Sequence, residues 1–121
     1  MGVEKFADLL VWQDAHRLVL RVYAITKKFP DDEKFGLISQ MRRAAISIAA
    51  NIAEGFRRRG IQEKVRFYNI SEGSLEELKY YFIVSKDLGY ILSNVDEMTL
   101  AESVGRLLNG LINSTENRKH P

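Results

Sequence analysis

Apolar residues recur at spacings of three and four along four separate segments of the chain. No segment sustains an alternation of apolar and polar residues. Spacings of three and four place side chains on one face of a helix, whereas strict alternation is typical of a strand. The pattern therefore predicts four helices, over about residues 9–29, 34–58, 62–88 and 95–113. At 121 residues they fit a single domain, residues 1–121.

Residues typical of helix boundaries separate the four segments. Pro30 should end the first helix, because its ring cannot continue the helical hydrogen-bond ladder. Gly60 suits a left-handed cap at the end of the second helix, and Gly89 suits the same role after the third. Asn94 and Glu97 have approximately the spacing of a capping box, which predicts that the fourth helix begins directly after Asn94.

Connections of only a few residues between long helices favour antiparallel neighbours. The sequence therefore predicts an all-α fold, an antiparallel up-and-down four-helix bundle. The fourth helix would face the core with the stripe Leu100, Val104, Leu107 and Leu111.

Two observations favour association between copies of the chain. The second and third helices carry adjacent apolar stripes that exceed what one bundle needs. Trp12 lies about 100° away from the core-facing stripe of the first helix. This Trp either shields an edge of the bundle or marks a subunit contact, and we favour the subunit contact.

Composition narrows the setting. The chain has no cysteine, which excludes disulfides and thiolate metal sites and suits a reducing cytoplasm. Polar residues interrupt the N-terminal apolar run, so no secretory signal is expected there. No apolar run approaches the roughly 20 residues that a membrane span requires. We therefore expect a cytoplasmic protein that does not bind membranes.

The net charge of +2 conceals a basic segment, because residues 37–70 hold seven Lys or Arg and only two Glu. Cations at a helix C-terminus complement the helix dipole, but three consecutive arginines exceed that need. Two interpretations remain open: a solvated basic surface, or contact with the phosphates of RNA or DNA. The predicted nucleic-acid-binding residues are Arg57, Arg58, Arg59, Lys64 and Arg66. Neighbouring aromatic residues could stack on bases, although their periodicity favours core packing.

A line of polar residues runs along the second and third helices: Ser47, Asn51, Glu54, Ser74 and Glu77. A carboxylate on an apolar stripe needs a donor or a proton. We interpret the five residues as a structural polar network in which Glu54 or Glu77 accepts hydrogen bonds. The alternative is an acid–base pair in a cleft, which would need at least one exposed carboxylate and lacks a convergent histidine or cysteine.

No sequence motif indicates catalysis, a metal site or a cofactor. His16 is preceded three residues earlier by Gln13, so the Glu-x-x-His pairs of di-iron bundles are missing. Phosphate loops, dinucleotide fingerprints and nucleophile elbows are also missing from the sequence. We therefore predict no catalytic residue, no metal and no cofactor, and we expect that the protein is not an enzyme.

Several blocks of the sequence resemble a known family. They are LLVWQ at 9–13, FP at 29–30, FGL at 35–37, QMRRA at 40–44, SIAANIAEG at 47–55, GSLEEL at 73–78 and LGY at 88–90. The chain is similar, over about residues 6–112, to the bacterial four-helix-bundle family named for proteins encoded in intervening sequences of 23S ribosomal RNA genes. The block at 47–55 is the most specific of these matches.

The resemblance implies a homopentameric ring of antiparallel four-helix bundles. It also implies a relation to the accessory variability protein of diversity-generating retroelements, a basic pentamer that binds nucleic acid and associates with a reverse transcriptase. We therefore expect a non-catalytic nucleic-acid-binding accessory protein. The alternative is a protein-interaction scaffold without a nucleic-acid role.

Overall fold

The computed structural model describes residues 2–118 and folds them into four long helices. They are α1 (Leu10–Thr26), α2 (Leu37–Arg57), α3 (Ile61–Asp87) and α4 (Val95–Asn117). Two short 3-10 turns, Phe6–Asp8 and Asp31–Glu33, precede α1 and α2. No strand occurs among the described residues. The prediction of an all-α fold with four helices is therefore confirmed.

The helices share one apolar core. α2 packs against α1 and α3, and α4 packs against the same two helices. Each helix contributes side chains that are fully buried, for example Leu18, Met41, Phe82 and Leu108. Removing such side chains from water is the main favourable term in folding, at about 25 cal/mol per Å² of apolar surface.

α1 ends at Thr26, three residues before the predicted boundary at residue 29. The buried Thr26 hydroxyl donates to the Val22 carbonyl at 2.7 Å. The chain then tightens, because the Phe29 amide donates to the Thr26 carbonyl rather than to a carbonyl four residues earlier. Phe29 remains buried beside the Tyr90 ring, with centroids 5.1 Å apart. Its place in the apolar pattern therefore reflects core packing outside the helix.

α2 begins at Leu37 rather than at residue 34. The acidic residues after Pro30 form a separate 3-10 turn, Asp31–Glu33. The Glu33 carboxylate then accepts a hydrogen bond from the Leu37 amide at 3.1 Å. This contact satisfies one of the amides that every helix N-terminus leaves without an intrahelical partner.

α4 differs most from the sequence prediction. Its fully buried stripe includes Ala101, Val104 and Leu108, whereas Leu100 and Leu107 are only partly buried. Val104 is common to the predicted and observed stripes. On either side of it, the buried residues Ala101 and Leu108 each lie one position after the predicted Leu100 and Leu107. α4 ends at Asn117, beyond the predicted end at residue 113, and its buried face continues to Thr115.

The predicted capping box at the start of α4 is wrong. Asn94 makes no side-chain capping bond. Glu97 is buried, with 3% of its surface exposed, and its Oε2 accepts a hydrogen bond from Arg21 Nε at 2.7 Å. Glu97 therefore joins α4 to α1, which a local pattern does not reveal.

Of the two predicted left-handed glycine caps, the structure contains the one at Gly89 but not the one at Gly60. Gly60 has a φ of −82°, so it is not a left-handed cap and instead lies at the start of α3. Gly89 has a φ of +79° and confirms the left-handed cap after α3. The Tyr90 amide closes this cap by donating to the Ser85 carbonyl at 2.9 Å.

Candidate nucleic-acid interface

Arg57, Arg58 and Arg59, which we call the arginine run, lie where α2 and α3 meet. Gly55, buried in the last turn of α2, lies against the ring of Tyr68. A Cβ atom on Gly55 would lie 2.6 Å from Tyr68 Cε1 and 3.0 Å from the Phe67 Cβ. The missing side chain allows the two helices to approach closely, and only Arg58–Gly60 connects them. This contact therefore sets how closely the two helix ends that carry the five predicted cationic residues approach each other.

Arg57 and Arg59 are exposed. Within residues 2–118, no acidic side chain lies within ion-pair distance of either guanidinium. Arg58 differs, because it forms an ion pair with Glu54 one turn earlier. In two of the three consecutive arginines, therefore, no neighbouring carboxylate within residues 2–118 offsets the positive charge.

Arg58 and Arg66 both lie near one aromatic ring. Their guanidinium carbons are 5.0 and 5.1 Å from the centroid of Phe67. Arg66 is exposed and lies 3.9 Å from the Glu63 carboxylate, a weak surface pair. Phe67 thus carries cation–π contacts with two arginines, and the cations rather than the ring dominate this surface.

Lys64 has a structural role as well as a charge. Its Nζ donates to the Phe56 carbonyl at 2.6 Å and approaches the Gly55 carbonyl at 3.4 Å. Both carbonyls belong to the last turn of α2, where the helix dipole favours a cation. Burial lowers the pKa of Lys64, and the nearby positive charge of Arg118 lowers it further.

Arg118 was not predicted to lie at this end of the molecule, whereas Tyr68 is one of the neighbouring aromatic residues for which core packing was favoured over base stacking. Arg118 follows α4 and lines a cavity together with Lys64 and Tyr68. The polar residues around 114–118 give no local signal, because only the packing of α4 brings them to the arginine run. Tyr68 reads as a core aromatic from its spacing, which is correct for its ring.

Only part of the predicted polar network is connected. The hydroxyls of Ser47 and Ser74 are 2.8 Å apart and join α2 to α3. Asn51 Nδ2 donates to the Ser47 carbonyl at 2.8 Å and approaches its hydroxyl at 3.1 Å. These three residues form the network that the sequence analysis anticipated.

The two predicted carboxylates lie outside those hydrogen bonds. Glu54 and Glu77 are both exposed. Glu54 pairs with Arg58, and Glu77 accepts a hydrogen bond from the Tyr81 hydroxyl at 2.5 Å. Glu77, together with Ser47 and Ser74, also lines a small cleft of about 190 Å³, whereas Glu54 does not. Neither carboxylate therefore accepts a hydrogen bond from Ser47, Asn51 or Ser74, because Glu54 on α2 and Glu77 on α3 both face solvent.

Trp12 lies half-buried in an apolar cleft between α1 and α2. Its ring is stacked on His16, with centroids 5.1 Å apart and planes 5° apart. The cleft is floored by Ala49, Ala50 and Ala53. Among residues 2–118, no group of three His, Cys, Asp or Glu side chains could hold a metal ion.

None of the helices within residues 2–118 combines the length and the apolar composition that crossing a bilayer demands. No curated protein sequence matches the chain significantly. The profile of the 23S rRNA-intervening sequence protein family matches residues 7–110. That range covers most of the 121 residues and contains every block on which the resemblance depends. The chain therefore belongs to the 23S rRNA-intervening sequence protein family.

Proposed function

We propose that the chain is a non-catalytic accessory protein that binds RNA or DNA through the end of the molecule where α2 meets α3. The observation that carries this proposal is the exposure of Arg57 and Arg59 without an acidic partner among residues 2–118. Phosphate backbones are recognised mainly by such cations, without regard to sequence.

The helices would form an antiparallel up-and-down bundle. Contacts between α2 and α3 support this topology, because the paired positions run in opposite order. Met41 lies near Ser85, the Ile48 carbonyl accepts from the Ser71 hydroxyl, and Gly55 lies against Tyr68. In this arrangement the end of α2, the start of α3 and the end of α4 all lie together, which concentrates their cations.

Copies of the bundle would assemble into a homopentameric ring, as the resemblance to the family implies. Large apolar side chains that remain exposed support self-association: Leu10, Leu20, Ile46, Ile70, Tyr80 and Ile83. A ring would repeat the arginine run on every subunit. Several weak phosphate contacts would then act together, because each further contact becomes intramolecular after the first.

The relation to diversity-generating retroelements makes a reverse transcriptase a candidate partner, and we propose it on that resemblance alone. A cytoplasmic setting belongs to the same proposal and is supported by the absence of cysteine.

The proposal is tested by replacing Arg57 and Arg59 together with Gln and measuring nucleic-acid affinity at several salt concentrations. We expect weaker binding and a salt dependence that is shallower by about one for each phosphate that the variant no longer neutralises. Gel shifts with single- and double-stranded probes would supply the measurement. The variant Lys27→Gln/Lys28→Gln is a matched control, because it removes two exposed charges that follow the last turn of α1, away from the arginine run.

Two results would reject this assignment. Wild-type protein that shifts no probe at low salt would exclude nucleic-acid binding. Equal reductions of affinity in the arginine and lysine variants would show that the charge of the whole molecule acts, rather than the end where α2 meets α3.

A protein-interaction scaffold is the second candidate function. The apolar cleft beside Trp12 favours it, because the lining includes Phe6 and Ile46, which both retain exposed surface. A partner helix could bury such a cleft. This function predicts no gel shift even at low salt, together with loss of partner binding when Ile46 is replaced by Asp.

A further inference from the structure

A cavity of about 430 Å³ lies beside the arginine run. Its volume is within the roughly 300–1,000 Å³ of small-molecule sites. Apolar walls come from Leu9, Phe56 and Leu111, which belong to three different parts of the chain. Polar side chains come from Lys64, Tyr68, Ser114, Thr115 and Arg118. The Thr115 hydroxyl already donates to the Leu111 carbonyl.

Among the residues that line the cavity, Tyr68 gives the strongest indication of a ligand. Only 1% of its surface is exposed, because its ring packs into the core beside Gly55. The same residue lines the cavity, yet its hydroxyl has no hydrogen-bond partner within residues 2–118. No buried side-chain nitrogen or oxygen among residues 2–118 lacks a partner, so this hydroxyl lies at the cavity surface, where water or a ligand can reach it. The hydroxyl is therefore available to a ligand in the cavity.

The charge of the cavity is positive. No Asp or Glu is among its described lining residues, which include both Lys64 and Arg118. An ammonium group has three donors, and Lys64 directs two of its contacts to the Phe56 and Gly55 carbonyls. One donor remains. Burial raises the pKa of Tyr68, and the charge of Arg118 opposes that rise.

We propose that this cavity binds a small organic phosphate, with the phosphate on Tyr68, Lys64 and Arg118 and its apolar substituent against Phe56 and Leu111. The site goes beyond the proposed function, because it requires no polynucleotide. A free small molecule and the phosphorylated end of a nucleic-acid strand share this chemistry.

Charge and donors favour a phosphate over a carboxylate. A phosphate monoester carries about −1.5 to −2 charges at neutral pH and offers three strong acceptor oxygens. The two cations and the Tyr68 hydroxyl match that count, and the Ser114 hydroxyl lies on the same cavity wall. A carboxylate, with a single charge and two oxygens, would leave part of the site without a partner.

The test is calorimetric titration of the full chain with phenyl phosphate and, separately, with benzoate. We expect phenyl phosphate to bind more tightly. Tyr68→Phe should weaken its binding about tenfold, since it removes one hydrogen bond to a charged group. This variant keeps the ring that packs against Gly55. Arg118→Gln should also weaken binding, and because Arg118 is exposed it provides a second variant that leaves the core unchanged.

Lys27→Gln is the matched control, because Lys27 is exposed, follows the last turn of α1 and does not line the cavity. Unchanged affinity in this control supports a defined site. Equal reductions of affinity in Tyr68→Phe and Lys27→Gln would overturn the proposal, as would benzoate binding as tightly as phenyl phosphate, or no heat of binding at millimolar ligand.

A further pair of probes distinguishes the two sources of phosphate. Preference for a 5′-phosphorylated oligonucleotide over its 5′-hydroxyl form supports a strand end as the ligand. Binding of phenyl phosphate without that preference supports a free small molecule. Failure here is separable from failure of the proposed function, because Arg57 and Arg59 do not line the cavity.

Discussion

At the scale of single residues, Gly55 and Tyr68 determine how closely α2 and α3 approach near the arginine run. The Tyr68 ring lies where a side chain on Gly55 would have to be. Tyr68 is fully buried and the Phe67 Cβ closes the other side, so neither neighbour can move away freely. That contact therefore sets the spacing of the helix ends that carry Arg57 and Lys64.

Replacing Gly55 with Ala should therefore destabilise the protein, by about 1–3 kcal/mol, because the added methyl overpacks the contact. Gly73→Ala is the matched control. Gly73 lies inside α3, and a Cβ atom there would meet nothing within 4 Å. Alanine stabilises a helix interior by roughly 0.5–1 kcal/mol relative to glycine, so this control should be slightly more stable. Denaturant unfolding measures both, and equal stabilities would contradict the account of the contact.

At the scale of elements, the helices could be predicted because each long segment has a strong apolar period. The arginine run could also be predicted, since its residues are consecutive. Other features depend on distant partners: Glu97 is held by Arg21 on α1, and Lys64 caps the carbonyls of α2. No local pattern contains such information, so the capping box was predicted incorrectly, and of the predicted polar network only Ser47, Asn51 and Ser74 are joined.

α3 also contains a hydrogen-bonded pair whose contribution to stability depends on pH. The Tyr81 hydroxyl donates to Glu77 one turn earlier, and this hydrogen bond raises the pKa of Tyr81 from 10.0 to about 12. Because the pKa in the folded protein is the higher one, the bond contributes stability below pH 10.0 and loses that contribution as the pH rises through about 12.

Glu77→Gln should lower the pKa of Tyr81 towards its ordinary value, because the variant has no negative acceptor for the hydroxyl. An NMR titration of the tyrosine rings would measure it. Glu76→Gln is the control, since Glu76 is exposed and pairs with Lys79 instead. Identical Tyr81 titrations in the wild type and Glu77→Gln would show that the hydrogen bond does not control the ionisation.

At the scale of the whole molecule, the end where α2 meets α3 carries a group of exposed arginines, while the sides keep apolar residues exposed. Ile46 and the cleft beside Trp12 belong to one such side, and Ile70 belongs to another. A net charge of only +2 gives a single copy little attraction for a polyanion. Association would bury the sides and bring several arginine runs to one face, so the proposed binding depends on assembly.

The most direct test of this dependence is the mass of the protein in solution, measured by light scattering at working concentration. Our account predicts a mass of about five times that of the 13.9 kDa chain, retained on dilution to the concentrations at which nucleic acid is bound. A mass of 13.9 kDa under those conditions would contradict it.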